Sequence, residues 1–530
     1  MAAIERLDPF ALEILQNRLI ASVDEASATL VRTSFSTLVR ESNDFACVLL
    51  DADGRSLAQS SLSIPSFIGT LPVTVRHLLR AFPPASLRPG DVLVTNDPWL
   101  GTGHLNDINI AVPIFHRRRL VAIAASTAHA PDIGGRIRSA DNREVFEEGL
   151  RIPMVRLYEA GRLNTPVMEF IRQNVRVPDE VEGDLKAQVA ADELAGRRLL
   201  ALLREYGLDD LRPLAGAIQD RSEQVTREAI RELPAGLYPY LLPIDGLGQD
   251  LRIELALTVE HRPERIVCDY AGTSLQQPDA LNVVPNYTYA YTAFALKCVL
   301  APDIPNNDGC FRLFSATAPE GSLLNPRLPA AVGARASVGH YLPVAVFGAL
   351  ARAVPHRVRA APGSPLWCVN LAGTRDNGRP FAGMFFLNGG LGGAQGHAGM
   401  ACISFPSNVS NTPIEVLEHL LPLEFQRKEI MVQSGGAGAW PGGDGQVVEC
   451  SVINSTPIVA TFLASRIDRP ADGMSGGEAG AVGSVLLNGQ PINPRYRRNL
   501  HPGDRLTITT PGGGGYGAKA PGPTAGGAST

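Results

Sequence analysis

Residues 92–135 read VLVTNDPWLGTGHLNDINIAVPIFHRRRLVAIAASTAHAPDIGG. Three apolar runs, at 92–94, 108–115 and 120–126, carry the β-branched content of strands. The link between the second and third, His116 to Arg119, is short and polar, which demands an antiparallel hairpin. Arg117-Arg118-Arg119 then marks a solvated turn. With the turn at Arg117-Arg118, Asn106 faces His129 and Asp107 faces Ala128. His104, Asp107 and His129 converge at the open end of this hairpin, where facing Cβ atoms stand about 4.5–5.5 Å apart. Two imidazoles and a carboxylate are a normal donor set for a divalent metal with open coordination positions. Gly101 and Gly103 allow close approach to the loop backbone. Asp44, at the start of an earlier strand, is a fourth candidate ligand. There is no H-E-x-x-H helix, so the zincin reading fails. Asp132, in the turn after His129, reads as a turn former, and Glu147 and Glu148 are candidates for a general base near the metal.

Outward from the hairpin, Asp8-Pro9 reads as an N-cap with Pro at N1, opening a helix that runs to about Arg32. A β-hairpin over 45–59 follows, turning at Asp53-Gly54, and then a short helix over 71–82. Two long amphipathic helices are expected near 179–206 and 209–233, strands at 251–260 and 265–270, and helices near 285–300 and 336–353. After about 365 the pattern becomes short strands separated by glycine turns. Helices and hairpins without regular β-α-β units favour an α+β class, with mixed, largely antiparallel sheets, packed helices and a C-terminal glycine-rich β region. The expected divisions are a metal-binding region at 1–235, a central region at 236–380, a glycine-rich β region at 381–516 and a flexible tail at 517–530.

The 530-residue chain is 45% hydrophobic, enough for a large core. Of its 53 glycines, 28 fall in 381–530, with no three-residue period, so collagen is excluded. The net charge of −5 argues against nucleic acid as a partner. Only four lysines occur, none in a G-x-x-x-x-G-K-[ST] frame, so the chain carries no P-loop. Seven dispersed cysteines without C-x-x-C are the usual pattern of reduced thiols in a cytoplasmic protein. No apolar segment with a cleavage site follows Glu5, Arg6 and Asp8, which argues against secretion. Residues 380–414 lack any charge but are broken by glycines and Pro406, so no membrane span is expected.

The stretch Asn96-Asp97-Pro98 through His104-Leu105-Asn106-Asp107, followed by Ala128-His129-Ala130-Pro131-Asp132-Ile133-Gly134-Gly135, resembles the hydantoinase B/oxoprolinase family. Glu148-Gly149-Leu150-Arg151-Ile152-Pro153, Pro305-Asn306-Asn307-Asp308-Gly309-Cys310 and Pro319-Glu320-Gly321-Ser322 fit the same pattern. So do Ser434-Gly435-Gly436-Ala437-Gly438 and Gly442-Gly443-Asp444-Gly445. The resemblance implies a B-type subunit of an ATP-dependent hydantoinase, 5-oxoprolinase or lactamase, with more distant kinship to acetone and acetophenone carboxylases. It implies a hetero-oligomer in which ATP is used by a separate A-type subunit, in agreement with the missing P-loop. The family's metal ligands fall on Asp44 (in Asn43-Asp44-Phe45), His104, Asp107 and His129, with zinc or manganese as the ion. The implied chemistry is hydrolysis of a ring amide that the partner has phosphorylated. The ion would lower the pKa of its water toward about 7, with Glu148 assisting proton transfer. A ketone carboxylase subunit and a non-catalytic scaffold for the A-type partner are the alternatives. Two departures from the family pattern, Gly396-His397-Ala398-Gly399 and His340, bear on substrate choice rather than on the metal.

Overall fold

The computed structural model describes residues 8–519. The hairpin lies in the middle of a seven-stranded antiparallel sheet. In chain order its strands are β1 (Phe45–Asp51), β2 (Ser56–Gln59), β3 (Val92–Thr95), β4 (Asp107–His116), β5 (Arg119–His129), β6 (Val155–Glu159) and β7 (Arg162–Leu163). In space they run β2-β1-β5-β4-β3-β6-β7. The β4–β5 turn has Arg117 and Arg118 at φ of 49° and 68°, the geometry of a two-residue turn.

The register differs from the sequence reading by one residue. Phe115 faces Leu120, but Ile114 faces Ala122, so a bulge interrupts the ladder between them. From there Asp107 faces His129 and Ile108 faces Ala128. Facing residues of an antiparallel pair share a side, and a one-residue slip moves a side chain to the other side of the sheet. The bulge is therefore what places Asp107 and His129 together.

Helices cover both sides of this sheet. Pro9–Thr33, Pro178–Glu205 and Arg212–Glu232 pack Leu19, Val23, Leu199 and Ile218 against Phe45, Cys47 and Leu49. Pro65–Ala81 packs Leu71, Val75 and Leu78 against Val48, Leu50 and Ile123 on the other side. All seven residues of β1 are buried, as a doubly covered strand requires. The first helix opens where the sequence places it, with the Asp8 carboxylate accepting the Ala11 N–H, a cap that contributes about 1 kcal/mol. The single helix expected over 336–353 is two, Ala336–Gly339 and Leu342–Leu350, separated at His340-Tyr341. The short helix expected over 71–82 starts earlier, at Pro65.

A second sheet has four strands, Gly236–Asp245, Asp250–His261, Glu264–Asp269 and Phe314–Thr317, the last two parallel. Two further sheets, of four and five strands, pack face to face around Trp367, Phe385, Phe462, Val448 and Ile508. The hairpin of Trp367–Thr374 and Pro380–Leu387 in that sandwich straddles residue 380. The class is α+β with largely antiparallel sheets, as the sequence indicates. All seven cysteines are free thiols. Among the described residues no helix is long and apolar enough to cross a membrane.

The glycine-rich region corrects the sequence reading. Most of its glycines do not sit in turns between strands. They line extended segments that touch backbone to backbone. Segment 511–517 bonds to several neighbours at once. Pro511 and Gly514 carbonyls accept from Gly390 and Gly393, Gly513 donates to Gly443 and accepts from Gly436, and Gly515 donates to Glu478. A Cβ on Gly512 would fall 1.9 Å from the Ser434 carbonyl oxygen, so these positions need the missing side chain more than they need unusual dihedrals. Gly517 donates to the Met474 carbonyl at 2.9 Å and is part of this layer. The rest of the expected tail, from residue 520, lies outside the described residues.

Candidate metal centre

Three adjacent strands deliver the donors to one end of the large sheet. Asp44 immediately precedes β1, and its carbonyl accepts the His129 N–H at 3.1 Å. Asp107 opens β4, and His129 closes β5. His104 comes from the loop between β3 and β4. That loop is pinned to itself and to the segment at 150–152: the Asn96 side chain donates to the carbonyls of Leu105 and Leu150 and accepts the Ile152 N–H at 2.6 Å. Asp97 accepts the Trp99 N–H and pairs with Arg151. Gly103 stands at φ 98°, and a Cβ there would lie 2.7 Å from Arg335 Cδ.

The donor atoms of His104, Asp107 and His129 lie within 4.8 Å of one another, and all three residues are buried. Asp107 Oδ1 is their common point, 2.7 Å from His104 Nε2 and 3.1 Å from His129 Nδ1. Asp44 Oδ2 stands 3.6 Å from His129 Nδ1. His104 Nδ1 and His129 Nε2 have no hydrogen-bond partner, and His104 Nε2 meets only the Asp107 carboxylate. Buried imidazole nitrogens left without partners are costly unless something else satisfies them. A divalent ion would take one nitrogen of each ring, and the donor chemistry fits. Burial and the Arg335 charge hold His104 well below its usual range, so it is a neutral imidazole. Burial alone would raise Asp107, but His104 and Arg335 outweigh it and hold the carboxyl well below its usual range. Burial pushes Asp44 up, opposed by His129.

Sequence reasoning missed the groups that aim Asp107. Its Oδ2 accepts from Thr102 Oγ1 at 2.6 Å and from the Arg335 guanidinium, which leaves Oδ1 to the histidines. Arg335 Nε donates to the Thr102 carbonyl, and its guanidinium carbon lies 4.2 Å from the Tyr287 ring centre. Such outer partners fix a ligand's orientation. A cavity of about 40 Å³ adjoins the centre, lined among others by Asp44, Arg138, Tyr287, Tyr291 and His340. That is room for two or three waters.

His340, noted in the sequence as a departure, faces this cavity. Its Nδ1 accepts the Leu366 N–H at 3.2 Å, which assigns the proton of the neutral ring to Nε2, 3.2 Å from the Tyr291 hydroxyl. Burial brings His340 down to about 3. The other departure, His397, lies in a tight turn with Ala394 in the glycine layer.

Glu148 is not brought to the metal cavity. Its carboxylate accepts the backbone N–H groups of Val332 and Gly333, at 3.0 and 2.7 Å, and so holds the turn that carries Arg335. Glu147 pairs with Arg136, and Asp132 with Arg176. Burial raises Glu148 to about 7, against the pull of the two amides. A carboxyl raised in the folded state binds extra protons there. Its contribution to stability is full below the unfolded pKa, about 4.3, and is lost as the pH rises through about 7. Glu148→Gln cannot titrate. The unfolding free energy of this variant relative to wild type should therefore improve between about pH 5 and pH 7.5. Parallel urea-unfolding profiles for the two proteins would contradict this placement of the proton.

The family model for hydantoinase B/oxoprolinase matches residues 8–519. The chain belongs to the hydantoinase B/oxoprolinase family. Relatives of this hydantoinase B-type chain include the putative D-/L-hydantoinase B-subunit of Pseudomonas sp. (strain NS671), 30% identical over 97% of this chain and 90% of the relative. The beta subunit of the Pseudomonas jessenii caprolactamase is 29% identical over 96% and 91%. The 5-oxoprolinase of Dictyostelium discoideum is 27% identical over 97% of this chain, which spans 40% of that longer protein. Among solved structures, the ATP-dependent caprolactamase from Pseudomonas jessenii superimposes with a TM-score of 0.88 at 26% identity, over 97% of this chain and 91% of the other. The nucleotide-free acetone carboxylase gives 0.84 at 18% identity, over 96% and 76%, a likeness of fold.

Proposed function

We propose that this chain is the metal-dependent catalytic subunit of an ATP-dependent cyclic-amide hydrolase, acting on a hydantoin, 5-oxoproline or lactam ring activated by an A-type partner. The observation that carries the reading is the buried convergence of His104, Asp107 and His129, with imidazole nitrogens left unpartnered. Two relatives are named as the B or beta component of an enzyme, and an ATP-dependent caprolactamase is among the similar structures; both support a partnered enzyme. Asp44, His104, Asp107 and His129 would hold the ion, zinc or manganese. A divalent ion there supplies Lewis acidity and a water that ionises near neutral pH.

This chain's other residues have definable tasks. Thr102 and Arg335 hold Asp107 in its ligating orientation. His340 Nε2–H lies 3.2 Å from the Tyr291 oxygen and 3.4 Å from the Tyr287 oxygen, so it can hold the Tyr291 hydroxyl in place. Burial keeps that hydroxyl protonated, so it suits the ring nitrogen, which must take up a proton as the C–N bond breaks. The narrow cavity limits free water around the activated amide.

The test is ring opening by this chain co-expressed with its A-type partner, with metal content measured in parallel. His104→Ala should abolish turnover and empty the site while the partner still binds ATP. Full hydrolysis by a metal-free His104→Ala/Asp107→Ala double variant would sink the reading. Incorporation of labelled CO₂ into a ketone with no ring opening would favour the carboxylase alternative. Wild-type protein that binds no metal would favour the scaffold.

A further inference from the structure

Arg138 stands beyond the turn that follows β5, where two cavities meet. It lines the metal cavity and also a neighbouring one of about 30 Å³ that takes in Glu148 and Asn370. Its Nε donates to the Gly333 carbonyl at 2.8 Å, and the N–H of the same residue is held by Glu148 at 2.7 Å. The guanidinium is thus anchored by one edge. Among the described residues no carboxylate or carbonyl accepts from its two terminal nitrogens, although Arg335 is committed to Asp107 and Thr102. A planar fork with a free edge matches two oxygens of one anion.

The charge balance points the same way. The charged groups of the cavity and of the candidate centre beside it are the carboxylates of Asp44 and Asp107 and the guanidiniums of Arg138 and Arg335, which cancel. A divalent ion leaves the loaded cavity with two positive charges in excess, and protonating Asp44 would only add to them. A neutral ring amide does nothing to offset that excess. A phosphoryl dianion offsets it fully.

We propose that Arg138 is the anion-recognition residue of this site and takes the phosphoryl group, either as carried by the activated substrate or as the released phosphate. This rests on the metal-dependent reading above. Arg138 is a positioning residue: it fixes the phosphorylated end so that the amide carbon faces the metal ligands.

The test uses the full chain loaded with manganese or zinc, with metal content measured before and after calorimetric titration. The probes are inorganic phosphate, methyl phosphate and acetate. Both phosphates should bind, and the tighter of the two tells whether the esterified or the released group is preferred. Arg138→Gln should weaken phosphate binding about 10- to 100-fold, the worth of a charge-assisted hydrogen bond, at unchanged metal content. Arg138→Lys keeps the charge and loses the fork, and should fall between. Phosphate binding equal in wild type and both variants, or acetate binding as tightly as phosphate, overturns the proposal. Wild-type protein that takes up no metal overturns the reading beneath it instead, and the metal analysis separates the two failures.

Discussion

Replacing Asp107 by asparagine should abolish divalent-metal binding at the candidate centre and cost the fold about 3–5 kcal/mol, the range for breaking a buried ion pair by removing one partner. Asparagine has the same shape, so the effect isolates charge. Asp107 is fully buried, and its two oxygens do different work. Oδ2 neutralises Arg335, whose side chain is only 4% exposed, and Oδ1 faces both histidines. Without the carboxylate, Arg335 keeps the Thr102 carbonyl and the Tyr287 ring but no counter-ion. The two halves of the effect can be read apart. Metal added at 100 times its dissociation constant stabilises wild type by about 2.7 kcal/mol, and the asparagine variant should gain nothing. In the metal-free proteins the loss should remain, and Arg335→Met combined with Asp107→Asn should cost less than the two single changes summed. Retention of about one ion per chain by Asp107→Asn would show that the carboxylate is not a ligand.

The convergence of the candidate ligands was legible in the sequence because they sit at strand ends joined by a short loop and one hairpin. Spacing brings His104, Asp107 and His129 to one place without any knowledge of the rest of the chain. Their mutual orientation was not legible. The bulge between Ile114 and Phe115 carries no residue signal, yet it decides whether Asp107 or Asn106 faces His129. Arg335 was invisible for another reason: it lies 228 residues from Asp107, and no local periodicity reports a contact at that separation. The kink at His340-Tyr341 was hidden by the near-continuous apolarity of the segment around it. Glu148 was read from the sequence as a candidate general base near the metal. Its partners, two backbone amides of a distant turn, give it a structural task away from the cavity.

The glycine layer supplies the sharpest prediction about the fold. A turn glycine and a contact glycine look alike in sequence, but they respond differently to alanine. Gly390→Ala would place a Cβ 1.7 Å from the Gly443 carbonyl oxygen and 2.8 Å from the Gly513 nitrogen. Both obstacles are backbone, and both segments are fixed by hydrogen bonds, Gly390 to Pro511 and Gly513 to Gly443, each at 2.9 Å. No side chain can swing aside. The extended segments must separate, which breaks several backbone hydrogen bonds together and places the loss above about 4 kcal/mol, where overpacking effects are exceptional. Gly216, in the helix Arg212–Glu232, is the contrast, because a Cβ there meets nothing within 4 Å. Gly216→Ala should stabilise the chain by about 0.5–1 kcal/mol, the helix-propensity gain. Urea unfolding of both variants tests the layer directly. Equal small effects would mean that the segments slide apart at little cost, and that glycine is present there for its dihedral freedom after all.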